Sequence, residues 1–253
     1  MTRPKPDSAG ERFELLDAVR RGVLLGVAVL MLVLPPAAVH FPSGGLAEAV
    51  PHPARHAAFG RESVSPDVRR MANWVITSRD NGPKSFVIVD KKQARVFLFD
   101  PGGNLKAAAP ALLGSAHGDY TVPGIGNKPI ELVLPEEKTT PAGRFVAELG
   151  KSSSRNEDVV WVDYESAVSM HRVIKVPERL KSLASPTPDD NRMSFGCINL
   201  PDAFYEKALR PAVQRGAVIY VLPETRSLRE TFAAYYDVDA PVKLAQHATP
   251  ARR

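Results

Sequence analysis

A chain of 253 residues with 44% hydrophobic content can bury one sizeable core, which suits a medium domain with tails. Its 33 Lys and Arg against 28 Asp and Glu give a net charge of +5, compatible with an anionic polymer or membrane surface. The basic residues are interleaved with acids, as in Lys151 to Asp158 and Glu178 to Lys181. No aromatic and basic stripe of the kind a nucleic-acid groove needs is formed, so nucleic acid is not an expected partner.

Arg20 and Arg21 precede Gly22 to Leu34, thirteen residues without a charge that end at Pro35 and Pro36. That length fits the apolar core of an export signal and falls short of the roughly 20 residues of a spanning helix. Ala47 and Ala49 frame Glu48 in a small-x-small pattern, so both cleavage after Ala49 and retention as an anchor stay open. Residues 1–49 are therefore expected to be a signal peptide or signal anchor of an exported protein, periplasmic or in the cell envelope. Any membrane contact is expected only through that segment, if it is retained. Residues 50–83 are expected to be a linker and an edge helix, 84–223 the main domain, and 224–253 a partly disordered extension.

Pro35 to about Ser65 is rich in Pro, Ala, Gly and His and lacks a sustained period, as expected of a tether. His52 and His56 lie in it, but Pro51 and Pro53 oppose the helix that would let them share a metal, so both read as solvated. Ser65, Pro66 and Asp67 supply a cap, a proline at the first helical position and an acid in the first turn, which predicts a helix through about Ser78 at the domain's edge. Phe86 to Asp90 and Arg95 to Phe99 form a hairpin across the polar turn Lys91 to Ala94. Pro101 to Asn104 is a second turn, and Leu105 to Gly114 returns as a strand. Asp119 to Lys128 is a loop. Arg144 to Leu149, Val159 to Tyr164 and Ala167 to Val173 read as further short strands. Asp202 caps a helix to about Leu209, and Ala217 to Leu222 is a last buried strand. Beyond Pro223 the core pattern thins, and Ala240 to Arg253 is expected to be disordered. The fold class is mainly β, with short strands and one or two packed helices.

The chain has a single cysteine, Cys197, in the run Ser194-Phe195-Gly196-Cys197-Ile198-Asn199. In an exported protein a lone thiol cannot form an internal disulfide, which points either to a small buried hydrophobe or to a nucleophile. Gly196 favours the nucleophile, because it allows a close approach and lets the amides of Gly196 and Cys197 converge on one oxygen. Ser194 and Asn199 are suited to bracing the turn. Of six histidines, His40, His52, His56 and His247 fall in the signal, linker or tail. His171, at a strand end, is the candidate base, and His117 reads as loop.

These residues resemble the L,D-transpeptidase catalytic domain. The family's signature is a histidine, a spacer, then Ser or Thr, His, Gly, Cys, an apolar residue and Asn; this chain supplies His171, then Ser194, Gly196, Cys197, Ile198 and Asn199. A family turn, Thr-Pro-x-Gly-x-Phe, is matched in full by Thr140 to Phe145. The resemblance spans about Lys84 to Pro223 and implies a β-sandwich-like catalytic domain. Two departures stand out. Phe195 replaces the family's second histidine, and 22 residues separate His171 from Ser194, where a loop-like insertion with Pro177, Pro186 and Pro188 is expected to wall the substrate groove.

The resemblance implies a cysteine acyl transferase that acts on peptidoglycan stem peptides and forms 3-3 crosslinks, with no cofactor and no metal. Cys197 is the implied nucleophile, His171 the general base and acid, the Arg172 carbonyl the group that orients His171, and the Gly196 amide part of the oxyanion hole. Ser194, Phe195, Asn199 and Arg192 are substrate-binding or loop-bracing candidates. Arg192 and Lys175 are placed to meet stem carboxylates, although each also reads as an ordinary solvated charge. An L,D-carboxypeptidase, a protein-anchoring transferase and an inactive wall-binding module are the alternatives, the last suggested by Phe195.

Overall fold

The computed structural model describes residues 54–152 and 156–240. The export segment, most of the tether with His52, and the tail from residue 241 lie outside the described residues. Among the described residues no helix is long and apolar enough to cross a membrane.

Alternation of apolar residues builds the centre of the molecule. In β1 (Ser85–Asp90), β2 (Arg95–Phe99) and β10 (Ala217–Val221), successive side chains serve two different cores. Val87, Val89, Val96, Leu98, Ala217, Ile219 and Val221 enter one, while Phe86, Ile88, Phe97, Phe99, Val218 and Tyr220 enter the other. Period two sends neighbours to opposite faces, so strands apolar throughout must be covered on both sides.

These strands belong to an eight-stranded sheet that also contains β3 (Leu105–Pro110), β5 (Gly143–Lys151), β6 (Asp158–Asp163), β7 (Val168–Arg172) and β9 (Ile198–Leu200), in the order β3-β2-β1-β10-β5-β6-β7-β9. The β1/β10 and β7/β9 pairs are parallel, and the others antiparallel. The sheet curls. Leu112, just after edge strand β3, exchanges two 2.9 Å backbone bonds with Asn199 of the opposite edge strand β9. This bridge ties the chain leaving one end of the sheet to the strand at its other end. The short strands β4 (Leu113–Gly114) and β8 (Arg192–Ser194) pair in parallel beside this bridge. The fold is mainly β with few helices, as the sequence predicts.

Helix α1 (Pro66–Ser78) starts at the expected cap, where Ser65 Oγ accepts from the Val68 amide at 3.3 Å. It covers a face of the sheet and not its edge. Met71, Ala72, Trp74 and Val75 are buried, and Trp74 meets Tyr220 edge to face at 6.3 Å. An apolar stripe of this width needs a sheet face to bury it. The preceding segment is docked as well: Ala58 bridges Asn104, Phe59 packs edge to face on Phe99 at 5.8 Å, and His56 pairs with Asp239 at 2.8 Å. The tether therefore does not extend to these residues, although His56 is solvent-exposed as expected.

Three other expectations change. The segment 177–191 is not simply a loop, because Pro177–Leu183 forms helix α2 with Pro177 at its start, and Leu183 packs with Leu112, Val173 and Met193. Proline at the first helical turn needs no N–H, so it begins a helix as readily as it breaks one. Helix α3 spans 202–214: Pro201 is its cap, Asp202 is its first residue, and it continues past Leu209 through a π turn over Tyr205–Leu209. The Arg210 amide bonds the Tyr205 carbonyl, one residue further back than in an α-helix, next to Pro211, which has no N–H to give. Beyond Pro223 the core does not thin: Leu228 of α4 (Leu228–Thr231), Phe232 and Tyr235 join the α1 core.

Candidate active site

The turn at 195–197 connects β8 to β9 and is held from several directions. Gly196 has φ +124°, and a Cβ there would lie 2.7 Å from the Thr139 carbonyl oxygen, so both conformation and space require glycine. Ser194 Oγ donates to the Cys197 carbonyl at 2.6 Å and accepts from the Gly196 amide at 3.1 Å. Asn199 Nδ2 donates to the same carbonyl at 3.2 Å. Thr140, fully buried, donates its hydroxyl to the Gly196 carbonyl at 2.8 Å and accepts the Gly114 amide at 2.9 Å.

Pairing fixes what lies beside the thiol. The parallel register matches Met170 to Ile198 and His171 to Asn199, so Ser169 sits next to Cys197 and His171 one same-face step further on. Val168, Met170, Ile198 and Leu200 point into the core. Alternation therefore sends Ser169, His171, Cys197 and Asn199 to the other face, where all four line one cleft of about 460 Å³. Cys197 Sγ lies 3.7 Å from both Ser169 Oγ and the Ala167 carbonyl oxygen. Nδ1 of the buried His171 is 2.7 Å from the Arg172 carbonyl oxygen. A carbonyl can only accept, so a neutral ring in this pose carries its proton on Nδ1 and has Nε2 as its acceptor nitrogen. The Arg172 side chain ties β7 to α3 and β6 through Glu206 at 2.6 Å and Asp158 at 2.9 Å, and stacks over the Tyr205 ring at 4.3 Å.

Not every candidate joins the cleft. Arg192 does not line it: its guanidinium pairs with Glu224, bonds the Lys91 carbonyl at 2.8 Å and is nearly buried. The placement is set by its partners, since the Glu224 carboxylate and the Lys91 carbonyl hold the guanidinium away from the cleft. Lys175 pairs with Asp202 at 2.8 Å on the exposed surface. The Gly196 amide is bonded to Ser194 Oγ, whereas the Cys197 amide has no acceptor among the described residues. An oxyanion donor from this turn therefore falls first to Cys197. Phe195 is 45% exposed on the cleft rim, with Lys138 Nζ 4.1 Å above its ring. His117 bonds Glu224 at 3.1 Å, away from the cleft.

Three contributors escaped the sequence reading. Ser169 is visible only through strand register. Thr140 was legible as part of a motif but not as a contact of Gly196. Arg179, from α2, lines the cleft and donates to Asn199 Oδ1 at 2.6 Å; its helix begins with a proline that reads as loop. Among the described residues the cleft lining has two cationic side chains, Arg179 and Lys128, and no acid, with Trp161, Ile130 and Val133 supplying apolar wall. Lys128 is paired with Glu137 at 2.6 Å. Among the described residues no group of three His, Cys, Asp or Glu is arranged to hold a metal ion.

No protein-family model matches the chain, and no curated protein matches it. Among solved structures it is similar to L,D-transpeptidases. One from Enterococcus faecium is 19% identical over 55% of this chain and 50% of that one, with a TM-score of 0.33. One from Stackebrandtia nassauensis is 15% identical over 56% and 57%, with a TM-score of 0.34. It is also similar to the helical cell shape determining protein Pgp2 of Campylobacter jejuni, at 12% identity over 58% and 50%, with a TM-score of 0.38. The chain spans about half the length of the structures it matches.

Proposed function

We propose that this chain is an exported cysteine acyl transferase of the L,D-transpeptidase type that acts on peptidoglycan stem peptides and forms 3-3 crosslinks. The observation that carries the reading is the placement of Cys197 and His171 on one cleft face of the β7/β9 pair, with Nδ1 of the imidazole at the Arg172 carbonyl.

In this mechanism His171 Nε2 takes the thiol proton, and the thiolate sulfur attacks the carbonyl carbon of the third stem residue. The negative charge that develops on the carbonyl oxygen is met by the Cys197 amide. Collapse breaks the amide bond, and His171 returns the proton to the departing amine of the terminal D-alanine, leaving a thioester on Cys197. A side-chain amine of a second stem then attacks the thioester, gives its proton to His171, and releases the thiol as the crosslink forms. Ser194, Asn199 and Thr140 hold the turn through both halves, and Phe195 shapes the rim where the family has histidine.

The test is intact-protein mass spectrometry after incubation with a carbapenem. The protein gains one covalent adduct, which Cys197→Ala abolishes; an adduct that persists in Cys197→Ala overturns the assignment. Incubation with defined tetrapeptide muropeptides then gives 3-3 linked dimers. Tripeptide products alone would instead mean that water resolves the thioester.

A further inference from the structure

A buried ion cluster lies behind the cleft, and the mechanism above makes no use of it. Lys91, from the β1/β2 turn, has a fully buried side chain. Its ammonium donates to the Gly118 carbonyl at 2.5 Å, Asp119 Oδ1 at 2.8 Å and the Thr140 carbonyl at 2.9 Å, which accounts for all three of its N–H groups. Asp119 also accepts the amides of Glu224, Thr225 and Arg226 at 2.8 to 3.0 Å and the Thr225 hydroxyl at 2.6 Å. Glu224, nearly buried, sits 3.5 Å from Lys91 and pairs with Arg192. Burying four charges costs desolvation that mutual attraction only partly returns, and packed apolar groups often stabilise as well or better. Stability alone is therefore a poor account of the cluster.

Its connections supply a better one. Lys91 holds the Thr140 carbonyl, and Thr140 holds the Gly196 carbonyl through its hydroxyl at 2.8 Å. Thr139, the adjoining residue, packs against Gly196 closely enough to exclude any Cβ there. On the other side Arg192, which opens β8 and leads directly to Ser194, bonds the Lys91 carbonyl. Both approaches to the 195–197 turn thus converge on Lys91. We propose that Lys91 is a positioning residue for the Cys197 thiol: through Thr140 and Arg192 it fixes the backbone of the turn that aims the sulfur along the cleft. The inference rests on the proposed function only in taking Cys197 as the reactive thiol of the cleft.

The experiment uses the one cysteine of the chain. Alkylation of Cys197 by iodoacetamide is followed as a function of pH, with thermal unfolding recorded on the same samples. Thr140→Val removes the hydroxyl and leaves no charge unpaired; Thr140→Ser keeps the hydroxyl. Lys91→Met combined with Asp119→Asn removes the ammonium and its main counter-charge, while Glu224 keeps Arg192. Thr140→Val and the double variant are expected to slow alkylation by about tenfold to a hundredfold, the effect of displacing a reacting group by about 1 Å, and to move the pH profile upward. Thr140→Ser restores both. A wild-type profile in either folded variant overturns the proposal, as does a Thr140→Val protein that cannot fold, since the contact would then serve stability alone. Iodoacetamide needs no stem peptide. A wild-type protein that never acylates, yet whose alkylation depends on Thr140 and Lys91, would remove the acyl-transfer reading and leave the positioning role standing.

Discussion

The sheet is built in two ways along its length. Around β1, β2 and β10 both faces are buried, and the face under α1 is a run of aromatic contacts: Phe86 stacks on Phe99 at 4.7 Å, and Trp74 meets both Tyr220 and Tyr235. At β7 and β9 only one face enters the core; the other lines a cleft, and its geometry is set by hydrogen bonds from Ser194, Asn199 and Thr140. Apolar packing is strong but non-directional, whereas hydrogen bonds fix direction at about 0.5–1.5 kcal/mol each. The aromatic face is thus held by apolar packing, whereas the open face beside the thiol is ordered by directional bonds.

The sharpest way to test this contrast is to cut each region once. His171→Ala is expected to slow adduct formation at Cys197 by about 10²–10⁴-fold with little change in unfolding temperature, measured by timed mass spectrometry and calorimetry. Phe99→Ala reverses the pattern: it destabilises by about 3–5 kcal/mol in urea unfolding, while the rate per folded molecule stays at the wild-type value. Equal effects on rate and stability in either variant would erase the distinction.

Acid should erode the ion cluster that lies between the two regions. Burial alone raises the Asp119 carboxyl, but the Lys91 ammonium, the Thr225 hydroxyl and the Glu224 amide outweigh it and hold the group well below the usual carboxylate range. The unfolded chain then takes up the proton first as pH falls. The contribution is complete above the unfolded value of about 3.9 and is lost as pH drops from there towards the folded value. Unfolding temperature measured between pH 6 and pH 2 should therefore fall less steeply in Asp119→Asn than in the wild type; identical slopes would remove Asp119 from the acid response.

The smallest effect belongs to the rim. Phe195→Ala removes the ring beneath Lys138, an interaction of about 0.5–1 kcal/mol at an exposed site. The expected outcome is a slight fall in unfolding temperature and a change in carbapenem adduct rate of only a few-fold. A loss comparable to that of His171→Ala would place Phe195 in the chemistry rather than on the rim.

Much of this was legible in the residues alone. The Ser65-Pro66-Asp67 start of α1, the hairpin through Lys91 to Ala94 and the last strand from Ala217 follow from capping chemistry, turn residues and apolar runs, all of which act over a few residues. The pairing of Cys197 with His171 as candidates came from a motif and from elimination among six histidines. Tertiary structure decided the rest. Contacts between Thr140 and Gly196, between Arg179 and Asn199, and between Lys91 and Asp119 span 20 to 56 positions of the sequence. No local pattern encodes them, because strand order and register determine which distant residues meet. The same reason explains Arg192, which reads as a surface charge in sequence and becomes a buried partner of Glu224 once β8 lies beside β4. Local chemistry wrote the elements and named the thiol; only the pairing of distant strands, with β7 beside β9 and Leu112 bridged to Asn199, determined what surrounds it.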